Sequence, residues 1–133
     1  MSDVLVKDRI LVVEDDVQLC RMLSRILENG GYAVRTVSCG SAALQDVERE
    51  PPDLVILDVK LPDIDGYKVC QHLREAYRGA GPKILMLTAM NQPVDQLRGF
   101  AHGADAYLVK PCEPMELLRT VGVLLDAPGS GNR

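Results

Sequence analysis

Polar side chains suited to phosphate and metal chemistry follow short apolar runs at four widely separated places in the chain. In chain order they are Glu14-Asp15-Asp16, Asp58, Thr88 and Lys110. If the apolar runs are parallel strands, their carboxyl ends lie at one edge of a sheet, where open α/β folds bind ligands. The sequence therefore predicts that three of these acids, Glu14, Asp15 and Asp58, converge on one rim with a hydroxyl group and a lysine.

The charges on this rim indicate its chemistry. Glu14, Asp15 and Asp58 would place three negative charges close together, and their repulsion has to be offset. A divalent cation and the ammonium group of Lys110 would balance them. Because carboxylate oxygens favour hard ions, Mg²⁺ is expected, with Mn²⁺ as an alternative. A neutralised aspartate beside a metal, a lysine and a hydroxyl group suits phosphoryl transfer, in which the aspartate can be the covalent acceptor.

Five apolar segments are predicted to be the strands that position these residues. They are residues 10–13, 32–37, 54–57, 84–87 and 106–109. The first, third and fourth are continuous apolar runs, which are typical of strands covered on both faces of a parallel sheet. The second alternates and is interrupted by Arg35, so it predicts an edge strand.

Helical patterns fill the intervals between these strands. Apolar residues recur at helical spacing in residues 19–27, 43–47, 69–76, 94–101 and 117–124. Glycine or proline residues end several of these segments, and Pro114 suits the first position of the last helix. In the fourth segment the apolar stripe is Val94, Leu97 and Ala101. Strict alternation of strand and helix predicts an α/β fold, a doubly wound parallel (βα)5 sheet with helices on both faces.

Composition limits the class of protein further. A chain of 133 residues is long enough for one domain, and no Trp with a single Phe predicts an aliphatic core. A net charge of −4, with no run of Lys and Arg, argues against direct nucleic-acid binding and against an anionic membrane. The apolar stretches are too short to span a bilayer, and the N-terminus lacks the apolar core of a signal peptide. A cytoplasmic location is therefore expected.

The cysteines and the C-terminus suggest no further chemistry. Four cysteines, at positions 20, 39, 70 and 112, include no closely spaced pair. Neither a zinc ribbon nor a redox motif is indicated, and reduced, mostly buried thiols are expected. Residues 126–133 are rich in Pro, Gly and Ser and are expected to form a flexible tail or linker stub after a domain at residues 1–125.

Four stretches of the chain resemble the receiver domain of bacterial two-component response regulators, of the chemotaxis-regulator kind. They are ILVVEDD (10–16), LVILDVKLPDIDG (54–66), ILMLTA (84–89) and GADAYLVKP (103–111), in the order and spacing of that family. The resemblance covers residues 8–125. It implies a flavodoxin-like sheet of strand order 2-1-3-4-5, in which the first and third strands are neighbours and their acids meet.

The resemblance also implies a role for each site residue. Asp58 would be the phospho-acceptor. The metal ligands would be Glu14, through water, Asp15, Asp58 and the backbone carbonyl of Lys60. The phosphoryl-binding and switch residues would be Lys110, held by a cis bond to Pro111, together with Thr88, Ala89 and Tyr107. Lys60 and Met90 would flank the path of attacking water and tune the lifetime of the phosphoryl group.

The function implied is a signalling switch rather than an enzyme acting on other substrates. It would take a phosphoryl group from a phosphohistidine of a sensor histidine kinase or a phosphotransfer protein, catalysing only its own phosphorylation and dephosphorylation. The face formed by the fourth helix, fifth strand and fifth helix would then control a downstream protein or an attached output domain. Ala106 stands where this family frequently has Asp, and the last helix offers only Arg119 for salt bridges across a dimer. A monomer or a weak phosphorylation-dependent dimer is therefore expected.

Three alternatives fit parts of the same pattern. A haloacid-dehalogenase-like phosphohydrolase also uses a strand-end Asp and Mg²⁺, but it needs a second Asp two residues later, where this chain has Lys60. A flavin-binding protein of the same sheet order would need a phosphate cradle after the first strand, and Glu14-Asp15-Asp16 has the wrong charge for it. A degenerate receiver that serves only for docking would not need the complete set of acids, Thr88 and Lys110.

Overall fold

The computed structural model describes residues 7–126. Within them, five strands and five helices alternate as predicted. They are β1 (Arg9–Val13), α1 (Val17–Asn29), β2 (Ala33–Val37), α2 (Gly40–Arg49), β3 (Leu54–Leu57), α3 (Gly66–Ala76), β4 (Lys83–Thr88), α4 (Pro93–Ala101), β5 (Ala106–Val109) and α5 (Pro114–Asp126).

The strands form one parallel sheet of order β2-β1-β3-β4-β5, which confirms the predicted flavodoxin-like fold. In the register of the sheet, Val13 at the end of β1 lies beside Leu57 at the end of β3, and Leu57 lies beside Met86 of β4. The carboxyl ends of β1 and β3 are therefore level, and β4 continues two residues further, to Thr88. Residues that follow these strands must lie close together.

The core is divided into two apolar layers, one on each face of the sheet. Along β3, Val55 and Leu57 pack into one layer, whereas Leu54 and Ile56 pack into the other. Residues of α2 and α3 cover the first layer, and residues of α1 and α5 cover the second. Every side chain of β3 is buried, because the strand is covered on both faces. This explains why its sequence is a continuous apolar run. At one edge, the partly exposed β2 is the edge strand that the sequence predicted.

The helix α4 forms where predicted, but its apolar stripe faces outward. Val94 and Leu97 are 59% and 69% exposed, and Phe100 is also exposed. The buried positions of this helix are Asp95 and Gly99. A side chain at Gly99 would lie 2.9 Å from the ring of Tyr107, so the helix approaches β5 through a glycine. Close backbone approach at Gly99, rather than the apolar stripe, therefore determines which face of α4 turns inward.

The remaining expectations concern the cysteines, the tail and the membrane. All four cysteines are free, but the expectation that most of them are buried was wrong, since only Cys70 is. Cys20 lies partly exposed on α1, and Cys39 and Cys112 lie partly exposed in the turns before α2 and α5. The helix α5 extends to Asp126, and the rest of the expected tail lies outside the described residues. Between residues 7 and 126, no helix combines the length and apolar character needed to cross a bilayer.

Gly66 packs the end of the loop between β3 and α3 against the backbone of Asp58 and Val59, which directly follow β3. The Gly66 N–H donates to the Val59 carbonyl at 2.7 Å. A Cβ at this position would overlap the carbonyl oxygen of Asp58 and lie 2.8 Å from the Cα of Val59. These neighbours are backbone atoms, which cannot rotate out of the way.

We therefore expect Gly66→Ala to destabilise the protein by roughly 1–3 kcal/mol, the usual cost of overpacking. Urea denaturation would measure the loss. The matched control is Gly122→Ala in α5, where an added Cβ meets nothing within 4 Å. That change should raise stability by about 0.5–1 kcal/mol, because alanine is a better helix former than glycine. Equal effects at the two positions would contradict the crowding seen at Gly66.

Candidate functional site

Three carboxylates meet where β1 and β3 end. The Asp58 N–H donates to the Val13 carbonyl at 3.2 Å, so the backbone pairing of the two strands continues up to the acids. Carboxylate oxygens of Glu14, Asp15 and Asp58 all lie within 4.8 Å of one another. Glu14 and Asp58 are buried, at 4% and 6% exposure, whereas Asp15 is open to solvent. The sheet thus produces the acidic cluster predicted from the strand ends.

The ammonium group of Lys110 lies between the two buried acids. Its Nζ is 2.7 Å from Asp58 Oδ2 and 2.8 Å from Glu14 Oε1. The residue follows β5, its backbone N–H donates to the Thr88 carbonyl, and its peptide bond to Pro111 is cis. Lys110 therefore supplies the positive charge on this rim that the sequence pattern predicted.

Burial and pairing oppose each other in setting the charge states of this cluster. Burial raises the pKa of Glu14, and the hydrogen bond from Lys110 only partly offsets that effect. Burial alone would lower the pKa of Lys110, but its hydrogen bonds to Asp58 and Glu14 raise the pKa above the ordinary lysine value. One ammonium group thus pairs with Glu14 and Asp58, while the third carboxylate of the cluster, Asp15, has no ion pair with it. An all-oxygen cluster with excess negative charge fits a hard divalent cation.

Asp58 is oriented by a separate contact to each of its two oxygens. Oδ2 accepts from Lys110, and Oδ1 accepts from the backbone N–H of Lys60 at 3.3 Å. The side chain of Lys60 is exposed. Both contacts come from groups that can also stabilise negative charge added to Asp58, because N–H donors and an ammonium group bind anionic oxygens.

Thr88 and Tyr107 both bind the turn that leads from β4 into α4. The buried Thr88 Oγ1 accepts from the Met90 N–H at 3.3 Å, and the Tyr107 hydroxyl donates to the Met90 carbonyl at 2.8 Å. Ala89, between Thr88 and Met90 in the chain, is exposed. The structure thus brings Thr88, Tyr107 and Met90 together around one turn, while Lys110 is the residue that joins Asp58.

Two residues near the rim have contacts that the sequence analysis missed. Tyr67, in the first turn of α3, donates its hydroxyl hydrogen to the Asp95 carbonyl at 3.0 Å, and the Arg98 guanidinium lies 4.5 Å from its ring centroid. Tyr67 therefore links α3 to α4. Its signal in the sequence is a tyrosine directly after the LPDIDG segment in a chain with few aromatic residues. Asp16, grouped with the acids by position, caps α1 by accepting from the backbone of Gln18 and Leu19.

A parallel α/β sheet of this strand order, with an acidic rim and a lysine beside it, defines a domain of the receiver type. The chain matches the family model described as response regulator receiver domain over residues 10–122. The protein therefore belongs to the response regulator receiver domain family, as the resemblance of its motifs predicted.

Individual proteins of the family are similar over most of this chain. The alkaline phosphatase synthesis transcriptional regulatory protein PhoP of Bacillus subtilis (strain 168) is 43% identical over 117 residues, which are 88% of this chain and 48% of that protein. The DNA-binding dual master transcriptional regulator RpaA of a Synechocystis strain is 42% identical over 117 residues, which are again 88% of this chain and 48% of that protein. A solved CheY-like receiver domain protein from Methanospirillum hungatei JF-1 is 31% identical, with a TM-score of 0.85, covering 91% of this chain and 95% of its own.

These relatives correct one exclusion that was based on net charge. The chain spans about half the length of the curated relatives it matches, and those relatives are transcriptional regulators. A net charge of −4 describes only these 133 residues. It does not separate the family from the control of nucleic acids, so the exclusion of nucleic-acid binding on the ground of net charge is withdrawn.

Proposed function

We propose that Asp58 accepts a phosphoryl group from a phosphohistidine of a sensor histidine kinase or a phosphotransfer protein. The observation that carries the proposal is the position of the Asp58 carboxylate. It is buried at the rim, bound by Lys110 and the Lys60 N–H, and lies beside Glu14 and Asp15. This arrangement offers one nucleophilic oxygen together with groups that neutralise a phosphoryl group.

The acidic cluster would hold Mg²⁺, with Mn²⁺ as an alternative. The residues that would hold the ion are Glu14, Asp15, Asp58 and the backbone carbonyl of Lys60. Both oxygens of Glu14 already accept hydrogen bonds, from Lys110 and from the Asp16 N–H, so Glu14 is suited to contact through water. When bound, the ion neutralises negative charge on the phosphoryl oxygens.

The chain's own residues would carry the transfer in one displacement. An oxygen of Asp58 attacks phosphorus, and the bond from phosphorus to the histidine nitrogen breaks. The electron pair of that bond stays on the imidazole, which can then take up a proton. Lys110, already 2.7 Å from Asp58 Oδ2, would pair with the incoming phosphoryl oxygens. The product is an aspartyl phosphate, an acyl phosphate that water can later hydrolyse.

The new charge would be transmitted through the turn at Met90. Phosphoryl oxygens attract the Thr88 hydroxyl, which in this structure accepts from the Met90 N–H. The Tyr107 hydroxyl binds the carbonyl of the same residue, and its ring lies against Gly99 of α4. Movement of this turn would therefore be felt by α4, β5 and α5. The exposed apolar residues of α4 offer this face to a downstream protein or an output domain.

A hydrolase of the haloacid dehalogenase type fits the site less well. In such an enzyme a second carboxylate two residues after the nucleophile handles protons of the leaving group and of water. Here that position is Lys60, whose backbone N–H binds Asp58 and whose side chain points to solvent. We keep the switch, acting in the cytoplasm as a monomer or a weak phosphorylation-dependent dimer, as the proposed function. Intact-mass spectrometry after incubation with acetyl phosphate and Mg²⁺ tests it, since one phosphoryl group should be added.

Asp15 is expected to be the acid on which metal binding depends most. Mutation of a residue that only hydrogen-bonds to a metal ligand typically lowers metal affinity by about 10- to 100-fold. Since Asp15 is expected to bind the ion directly, Asp15→Ala should weaken Mg²⁺ binding by at least that factor. Glu14→Ala should have the smaller effect, because protein groups already occupy both Glu14 oxygens. Isothermal titration of each variant with Mg²⁺ would measure the difference. The reverse order of effects would show that the two acids have been assigned the wrong roles.

Met90 is expected to limit how fast water reaches the phosphorylated aspartate. Its side chain is half-buried against the core next to the β4–α4 turn, near Ala89 at the rim. Met90→Gly should therefore shorten the lifetime of the aspartyl phosphate, which phosphate release after removal of the donor would follow. Met22→Gly, on the exposed side of α1, is a control for loss of a methionine side chain. Equal lifetimes in wild type and Met90→Gly would mean that this side chain does not control access of water.

A further inference from the structure

Asp63, in the loop between β3 and α3, binds three backbone N–H groups although its side chain is exposed. Its Oδ1 accepts from Gly40 and from Ile64, both at 2.8 Å, and its Oδ2 accepts from Ser41 at 2.9 Å. These hydrogen bonds, with the one to Ser41 foremost, hold the pKa of Asp63 well below its usual range. The carboxylate is therefore charged and joins this loop to the start of α2.

The helix α2 has no cap of its own. Its N-cap residue is Cys39, whose side chain makes no capping hydrogen bond. An N-terminal helix turn leaves unpaired N–H groups, and a carboxylate is a favoured partner for them. Asp63 supplies that partner from a segment more than twenty residues away, at a separation of 23 residues from Gly40. The Asp63 side chain thus caps the N-terminus of α2 and at the same time attaches the β3–α3 loop to that helix.

The loop fixed in this way is the one that binds the phospho-acceptor. Its Lys60 N–H donates to Asp58 Oδ1 at 3.3 Å. One end of the loop is closed by Gly66, whose N–H binds the Val59 carbonyl. The middle is held by Asp63 and by close packing of Ile64 on Gly40, where a Cβ would lie only 3.2 Å away. Without Asp63, the segment between Lys60 and Gly66 loses its hydrogen bonds to the N-terminus of α2.

We infer that Asp63 is a positioning residue for the phosphorylation site. By tying the loop to α2, it holds the Lys60 N–H on Asp58 and keeps the Lys60 carbonyl available to the metal. The second half of this inference rests on the proposed function, whereas the first half concerns a contact present in the chain itself. The hydrogen bonds of Asp63 go to Gly40, Ser41 and Ile64 and not to Asp58 or Lys60, so its effect must pass through the loop.

The test separates loop positioning from helix capping. Asp63→Ala removes both roles. In the double variant Asp63→Ala with Cys39→Asp, the new carboxylate stands at the N-cap of α2, where the backbone is extended as a cap requires, so the helix regains a cap while the loop stays untied. The measurements are urea denaturation, isothermal titration with Mg²⁺ alone, and NMR hydrogen exchange of the Lys60 amide without metal.

Asp63→Ala should bind Mg²⁺ about tenfold more weakly than wild type, and the Lys60 amide should lose its protection. The double variant should recover stability but neither Mg²⁺ affinity nor Lys60 protection. Recovery of all three would overturn the inference, because Asp63 would then act only as a cap. Wild-type Mg²⁺ affinity and Lys60 protection in Asp63→Ala would overturn it as well. If wild type itself takes no phosphoryl group, the proposed function fails, yet the Lys60 amide still decides the role of Asp63.

Discussion

Asp58→Asn should abolish the mass increment that acetyl phosphate and Mg²⁺ give to the wild-type protein. An amide oxygen is a far weaker nucleophile than a carboxylate, and the change also removes one negative charge from the cluster. The fold should survive, because asparagine has the same shape and its side-chain oxygen can still accept from Lys60 or Lys110. The expected result is therefore a folded protein that takes no phosphoryl group.

The control for this experiment is Asp16→Asn. Asp16 lies at the same rim, but its carboxylate accepts from Gln18 and Leu19 as the cap of α1. Asparagine caps a helix about as well as aspartate, so this variant should be labelled like wild type. Peptide mapping after trapping the acyl phosphate would locate the modified residue. Labelling of Asp58→Asn at the wild-type level would remove Asp58 from its role.

Lys110→Ala should lose the switch while keeping part of the chemistry. In wild type the ammonium group is shared by Asp58 and Glu14, both buried. Its removal leaves two neighbouring carboxylates without their cation, so Mg²⁺ should bind at least as tightly as before. Labelling should slow by roughly 100-fold, since one preorganised charge that stabilises the transferring group is lost. In the proposed mechanism, attraction of Lys110 to the phosphoryl group would favour one state of the switch over the other, and the variant loses this attraction as well.

The readout is NMR of Tyr107 and of the α4 amides with and without beryllofluoride, a phosphoryl mimic. Wild type should show shifts across α4 and β5, whereas Lys110→Ala should bind the mimic and show few of them. Lys110→Arg should restore little, because a planar guanidinium does not replace a compact ammonium group between two acids. Lys68→Ala, on the exposed side of α3, controls for loss of a lysine and should behave as wild type. The full set of shifts in Lys110→Ala would leave Thr88 as the residue that couples the site to α4.

The part of the structure that sequence could predict is the part governed by local pattern. Continuous apolar runs marked β3 and the strands beside it because burial on both faces leaves no polar position. The acids after β1 and β3 followed directly, since parallel strands end at one edge. The facing of α4 was not predictable in this way, because its apolar residues lie outward and Gly99, which has no side chain, lies inward.

Contacts made across the chain were the second limit. Asp63 is one acid among several in the segment after β3, and nothing local shows that its partners are Gly40 and Ser41. Tyr67 gives an equally weak signal, because its partner is a backbone carbonyl of α4 that only the folded chain brings near. Such residues bind backbone atoms of distant segments. The pattern of side chains along the sequence does not predict these contacts with distant backbone atoms.

The same long-range assembly has a consequence for biosynthesis. Asp58 and Lys110 are 52 residues apart and meet only after β5 has docked beside β4. Contacts of this separation form late in folding, and a chain leaving the ribosome exposes its N-terminal segments first. A nascent chain that has released β1 and β3 already carries the acids, but it lacks the lysine that neutralises them. An unfinished copy of this protein therefore carries Glu14 and Asp58 without their paired ammonium group until β5 is in place.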